Sequence, residues 1–481
     1  MNYILSNYSP SALYRYFEDI CAIPHGSGNE KGIADYLCKF AEDNKLEYYR
    51  DNVHNVLIKK KASAGYENKP AVLLQGHTDM VCEKNNDVIH NFETDPLKIY
   101  EKDGWLYAEG TTLGGDDGIA VAMMMAVLAD KNAKHPPLEC LFTVQEETSM
   151  VGAIAFDYSK LTAKSFINLD CEHLDHATVS CAGGVRCDFS FELDSYKVQN
   201  SSIKITVKGL AGGHSGTEIN SGKQNANIVM AKILGGLYEK MPFNLISING
   251  GNKVNAIPRE CEAVISIFDK KYAKEIIKEL ADKIRKQLVK EDKKFSVRVD
   301  NANGVSDTAF CFKDTYRVIS AMNIIPNGVY EMSRSLEGLV ETSSNLGVVT
   351  TEGNTVNLYL MPRSSVEAKL DEIVMKLDMI AKLSGAKIVH HDRYPGWEYA
   401  PKSKMRDLYA QCFEKRIGEK PVFEAVHAGV ECGIIITAMG GNLDGVSMGA
   451  TVQNIHTPDE RLDLASLADA YAIMLDMLVN M

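Results

Sequence analysis

The sequence predicts an α/β protein: a mixed, largely parallel sheet flanked by helices, interrupted by an inserted α+β unit. Three observations carry this expectation. Over the first third, short apolar runs alternate with helical patterns, the texture of parallel strands buried on both faces. Through the middle, runs such as Ser202–Lys208, Glu260–Phe268 and Val356–Leu360 alternate apolar and polar residues, as strands with one wet face do. After His390–Trp397, helical and short strand patterns return.

Taken in order, Ser11–Ile20 and Gly32–Asp43 show helical spacing. Ala71–Gln75 is a short apolar run closed by Gly76, as a buried strand is. Ile119–Leu128 reads as an apolar helix, followed by strands at Leu138–Gln145 and Ser165–Leu169. In the middle third, Ala273–Val289 and Val366–Leu383 are amphipathic helices between the alternating strands. His390–Trp397, polar and ending in Pro-Gly-Trp, reads as a connector, and Leu464–Leu478 as the closing helix. The expected division is 1–185 and 396–481 for one domain, with 186–395 inserted. No internal repeat or low-complexity tract is present.

Composition narrows the function classes. The chain has 481 residues, 45% hydrophobic and 24% charged, which excludes disordered and collagen-like chains. Its 52 basic and 64 acidic residues leave a net charge of −12, unsuited to a nucleic-acid backbone. The start Met1–Ser6 lacks the basic and apolar segments of a secretory signal. The longest apolar stretch, Ile119–Ala129, falls short of the roughly 20 residues a membrane span needs. Eleven scattered cysteines without CxxC pairs read as reduced thiols of a cytoplasmic protein. The glycine-rich run Ala211–Gly216 lacks a following Lys-Ser/Thr, so no phosphate cradle is expected there.

The chemistry gathers at strand ends. His77-Thr78-Asp79 follows the apolar run, so His77 can bind a metal while Asp79 orients its imidazole. Gly114-Gly115-Asp116-Asp117-Gly118 opens the apolar helix, either as an Asp cap or as a carboxylate shared by two cations. Glu146-Glu147 closes the next strand; one can ligate a metal while the other serves as general base. Asp170 ends a further strand, and His456 lies in a loop before the closing helix. A parallel sheet gathers strand C-termini on one edge, where ligands bind. Three carboxylates leave one positive charge over from two divalent ions, which a bridging hydroxide neutralises. The oxygen and nitrogen donors suit zinc, manganese or cobalt rather than a thiolate site.

These motifs resemble the dinuclear zinc metallopeptidases that include glutamate carboxypeptidase, aminoacylase and peptidase T, and within them the Xaa-His dipeptidases. The resemblance rests on Gly76–Val81, the Gly-Gly-Asp-Asp-Gly turn, Glu146-Glu147, Asn168-Leu169-Asp170 and His456. Lys208–Gly216, Asn255–Pro258 and His427–Gly433 extend it over essentially the whole chain.

The resemblance implies that Asp116 bridges two divalent ions, zinc first, with His77 and Asp170 completing one site and Glu147 and His456 the other. It implies Glu146 as general base, Asp79 behind His77, and His214 as oxyanion support. Asn255 and Arg363 become candidates for the substrate carboxylate, with His427 bordering the pocket. The inserted domain corresponds to the family's lid and dimerisation surface, implying a homodimer. The implied activity is hydrolysis of unblocked dipeptides, including those with C-terminal histidine. A deacylase acting on N-acyl amino acids is one alternative, and a catalytically silent scaffold of the same fold is another. Small peptides are the expected partners; nucleic acid and membrane are not.

Overall fold

In a computed structural model, residues 3–198, 201–302 and 308–481 are described. Met1–Cys181, Tyr399–Ala425 and Val430–Met481 form one compact unit; Ala182–Glu398 and Val426–Gly429 form a second. The crossings fall at Cys181/Ala182 and Glu398/Tyr399, where the sequence placed them at 185/186 and 395/396. The short return at 426–429 has no compositional mark.

The first unit is built on eight strands: β1 (Glu47–Arg50), β2 (Val56–Lys60), β3 (Val72–His77), β4 (Leu138–Thr143), β5 (Ser165–Asn168), β6 (His176–Cys181), β7 (Val422–Val426) and β8 (Asp444–Ser447). Their order in the sheet is β1-β2-β4-β3-β5-β8-β6-β7. β4, β3, β5 and β8 run parallel, whereas β2 joins β4 antiparallel and β6 joins β8 antiparallel. β3 and β4 are buried at every residue, which explains why they read as continuous apolar runs.

The helix Gly115–Ala129 packs against β3 and is apolar all round, with Val121, Met123, Met124 and Met125 fully buried. Side chains of that size stabilise a fold by about 1.5–3 kcal/mol each when removed from water. Its opening is not regular: Asp116 (φ −84°, ψ 106°) and Asp117 (φ −117°, ψ 37°) depart from helical geometry, and the cap is Gly114, not an aspartate. β4 stops at Thr143; Gln145 turns left-handed at φ 54°, and Glu146–Ser149 forms one helical turn.

In the second unit, the strands of the large sheet pair antiparallel throughout the described residues. Its amphipathic helices are Lys270–Arg285, burying Ala273, Ile276, Ile277, Ala281 and Ile284, and Glu367–Ser384, burying Leu370, Ile373, Leu377 and Ile380. One expectation is corrected here. Lys387–Tyr394 is a strand against Gly183–Glu192, not a connector. Its residues are half or fully exposed along the length, so it carries no apolar alternation to read.

Candidate metal centre

Parallel pairing brings the C-termini of β3, β4 and β5 side by side, and each delivers a polar residue at or shortly past the end of its ladder. His77 ends β3 and is 1% exposed. Its Nδ1 lies 3.0 Å from the Asp79 carbonyl oxygen, which fixes the hydrogen on Nδ1 and frees Nε2 as a ligand. Nε2 lies 3.0 Å from Asp116 Oδ1 and 3.7 Å from Asp170 Oδ1. The other Asp116 oxygen, Oδ2, is 3.3 Å from His456 Nε2, which is 2.9 Å from Glu147 Oε1.

Two donor triads result, His77–Asp116–Asp170 and Asp116–Glu147–His456, with Asp116 in both. A third group, His77–Glu146–Glu147, places Glu146 beside them. The Asp79 carboxylate lies between His77 and the glutamate turn, with Oδ1 3.6 Å from Nδ1. It accepts the N–H groups of Glu146 at 3.0 Å and Glu147 at 3.3 Å, and the Ser27 hydroxyl at 2.7 Å. Asp79 thus holds His77 through its carbonyl and the two glutamates through its carboxylate.

Burial works against a charged His77, yet hydrogen bonds to Asp116 and Asp170 outweigh it and hold its pKa well above the ordinary value. Hydrogen bonds donated to Asp116 and Glu147 raise His456 to about 10. Burial opposes ionisation of Asp116, but hydrogen bonds from His456 and His77 reverse this and hold it below the carboxylate range. Burial pushes Asp170 up to about 6 and Glu146 well above its usual value, in both cases with His77 opposing and nearby carboxylates adding to the rise. The carboxylates therefore demand positive charge, which protonated imidazoles meet here. Divalent ions would meet the same demand and leave both imidazoles neutral. None of the eleven free cysteines belongs to these groups, so the donor set is oxygen and nitrogen throughout.

One layer below lies a buried polar chain that sequence reasoning missed. Glu431 Oε2 accepts from Gln75 Nε2 and Thr143 Oγ1, both at 2.6 Å. Gln75 Oε1 accepts from Asn168 Nδ2 at 2.8 Å, and Asn168 Oδ1 accepts from Ser447 Oγ at 2.5 Å. Side chains from β4, β3, β5 and β8 are thereby tied together beneath the residues they present. The signal was present in alternation: Gln75 and Asn168 precede His77 and Asp170 by two residues, on the same face of their strands.

The remaining candidates lie in the second unit. His214 sits in a short antiparallel bridge with Ala256, and Ser215 N donates to the Asn255 carbonyl at 2.9 Å. Asn255 itself is exposed. His214 Nδ1 accepts N–H groups from Gly216 and Thr217 at 3.3 and 3.2 Å. Gly216 runs so close to His427 that an added Cβ would stand 2.2 Å from the His427 carbonyl oxygen. His427 Nε2 pairs with Ser343 Oγ at 2.7 Å. Burial, with Arg363 and His214 adding, lowers His427 to about 3, so the ring is neutral. Arg363 is 4% exposed; it donates to Tyr394 Oη at 2.6 Å, its Nε has no hydrogen-bond partner, and among the described residues no carboxylate pairs with it.

A profile of Peptidase family M20/M25/M40 matches residues 73–480. The chain belongs to this family. The cytosol non-specific dipeptidase of Escherichia coli (strain K12) is 38% identical over 479 residues, covering 98% of each chain. The crystal structure of aminoacylhistidine dipeptidase from Vibrio alginolyticus superposes with a TM-score of 0.92 at 35% identity, covering 99% of this chain and 98% of that one. Aminopeptidase PepT from Bacillus cereus shares the fold at a TM-score of 0.56 and 18% identity, with 97% of each chain covered.

Proposed function

We propose that this M20 family member is a metal-dependent dipeptidase that hydrolyses unblocked dipeptides, including those with C-terminal histidine. The observation that carries the reading is the pair of donor triads sharing Asp116, with Glu146 beside them. The dipeptidase names of the 38% and 35% identical relatives support the substrate class over an N-acyl amino acid or a silent scaffold. Zinc, manganese and cobalt fit the donors, zinc first.

Two divalent cations held there supply Lewis-acid polarisation of the scissile carbonyl and lower the pKa of water toward neutrality. His77 and Asp170 are assigned to one ion, Glu147 and His456 to the other, and Asp116 to both. Glu146 takes the proton of the attacking water and returns it to the leaving amine. Burial of its carboxyl favours this by raising its proton affinity. Asp79 keeps both glutamates in place through their N–H groups.

In the second unit, Arg363 is assigned the substrate carboxylate, supported by a buried guanidinium with no acidic partner among the described residues. Asn255 joins it, and His427, neutral and held by Ser343, borders that position. His214 donates to the developing oxyanion, supported by Nδ1 accepting two N–H groups, which leaves a hydrogen for Nε2. A homodimer through the second unit is supported by the stripe Met375, Met379 and Leu383, exposed at 55, 54 and 82% at helical spacing. A cytoplasmic location is supported by the free cysteines and by the name of the Escherichia coli relative.

The testing experiment is a panel of free and N-acetylated dipeptides given to wild type and Glu146→Ala, with metal content measured on both. Wild type cleaves the free dipeptides, and Glu146→Ala keeps its ions but loses turnover. Cleavage of the acetylated set alone, or near-wild-type activity in the variant, overturns the reading.

A further inference from the structure

The turn that carries Asp116 is gripped from the far end of the chain. Glu460, four residues past His456, is 3% exposed. Its Oε2 accepts the N–H groups of Leu113 at 2.7 Å and Gly114 at 3.1 Å. Its Oε1 accepts that of Gly115 at 2.8 Å and stands 3.5 Å from Asp116 N.

Gly114 is left-handed (φ 70°, ψ 32°), which aims successive N–H groups at one point and makes a concave anion seat. No side chain within the turn caps the helix it opens. Glu460 therefore supplies that cap across 344 to 347 residues of chain. The fit is close: a Cβ on Gly115 would stand 3.3 Å from Glu460 Oε1 and 3.1 Å from Val452 Cγ1.

A Ser or Asp within the turn would satisfy the same N–H groups. A carboxylate reaching in from the His456 loop does something a local cap does not, because it ties two donor-bearing segments together. On one side is Asp116; on the other, His456, whose Nε2 faces Asp116 Oδ2 at 3.3 Å. The loop is anchored in turn: Glu460 N donates to the Thr457 carbonyl at 3.1 Å, and Arg461–Asp463 pairs with the strand Trp105–Ala108.

We propose that Glu460 is a positioning residue of the metal centre, setting the separation of Asp116 from His456 by holding the Leu113–Gly115 N–H groups. The inference rests on the assignment of those two residues as metal donors. Removing the carboxylate frees the turn, so affinity for the ion assigned to Glu147 and His456 falls about 10- to 100-fold, the usual effect of losing a group that orients ligands. The ion assigned to His77 and Asp170 is weakened less, since it shares only Asp116. Glu460→Gln keeps the shape and one acceptor but sets an NH2 against N–H groups, so it falls between wild type and Glu460→Ala.

The test titrates apo wild type, Glu460→Gln and Glu460→Ala with Co²⁺, reading visible absorption and bound metal. The expected result is two tight ions in wild type. In the variants, one remains tight and the second is at least tenfold weaker, with a changed cobalt spectrum, Gln less affected than Ala. Circular dichroism checks folding, and Glu460→Gln alone decides the matter if Glu460→Ala does not fold. Two tight ions with the wild-type spectrum in the folded variants overturn the role of Glu460 alone, whatever their activity. No cobalt uptake by wild type overturns the metal-centre reading together with it.

Discussion

Replacing Asp79 by asparagine changes one atom in a carboxylate that accepts three hydrogen bonds. The donors are Glu146 N–H at 3.0 Å, Glu147 N–H at 3.3 Å and the Ser27 hydroxyl at 2.7 Å, around a side chain 1% exposed. A hydrogen bond to a charged group contributes about 1.5–3 kcal/mol. An asparagine NH2 cannot accept, so one bond at least is lost and one backbone N–H is left facing another donor. The expected cost is about 3 kcal/mol. Spread through the turn, at about 1.4 kcal/mol per decade, this lowers kcat/KM by about two decades. Both glutamates move, so metal affinity falls as well, about tenfold or more. The assay is steady-state dipeptide cleavage at saturating metal, beside a metal titration of the apoprotein. A variant within threefold of wild type on both counts would refute the argument that this carboxylate places Glu146 and Glu147.

Three further outcomes follow from the geometry. Arg363→Met raises KM for a dipeptide about 100-fold or more, the worth of a buried charge-assisted contact, and removes the penalty wild type shows for a dipeptide amide; an amide penalty that persists in the variant contradicts the assignment. His427, lowered to about 3 by burial, binds a proton more readily unfolded, near the ordinary 6.5. Its contribution to stability is therefore full above about pH 6.5 and is lost as pH falls toward 3, with a slope of up to about 1.4 kcal/mol per pH unit. Acid denaturation of His427→Leu should be correspondingly shallower over that window, and an unchanged slope counts against the buried neutral ring. Glu431→Ala strands Gln75 and Thr143 in a buried chain, so it destabilises the first unit by about 2–4 kcal/mol, measured by urea unfolding; Glu431→Gln, whose amide oxygen can stand in for Oε2 and accept both bonds, is destabilised less.

What could be read from the sequence follows from what each element depends on. β3 and β4 are buried on both faces, and burial alone writes a continuous apolar run, so they stood out together with the polar residues that end them. His77, Glu147 and Asp170 are conspicuous because they stand at or just past the ends of such runs, whereas Asp116 at a helix start and His456 in a loop are singled out through the family resemblance. Lys387–Tyr394 does not read as a strand because its side chains are half or fully exposed and mostly polar, several of them paired to polar side chains of Gly183–Glu192, leaving no apolar period to detect. The return of Val426–Gly429 to the second unit is set by tertiary contacts over four residues, too few for a change of texture. Glu431 and Glu460 were passed over for the same reason. Their partners lie hundreds of residues away, and an acidic residue at a helix start, as Glu431 is, or in a loop, as Glu460 is, reads as a solvated one until the fold buries it.

The central claim is that two divalent ions share Asp116. A crystal structure of the zinc-loaded protein, with anomalous data at the zinc edge, tests it most directly. Two peaks about 3.5–4 Å apart are expected, one contacting His77, Asp116 and Asp170 and the other Asp116, Glu147 and His456. A single peak, or peaks elsewhere with these donors still paired to one another, would contradict it.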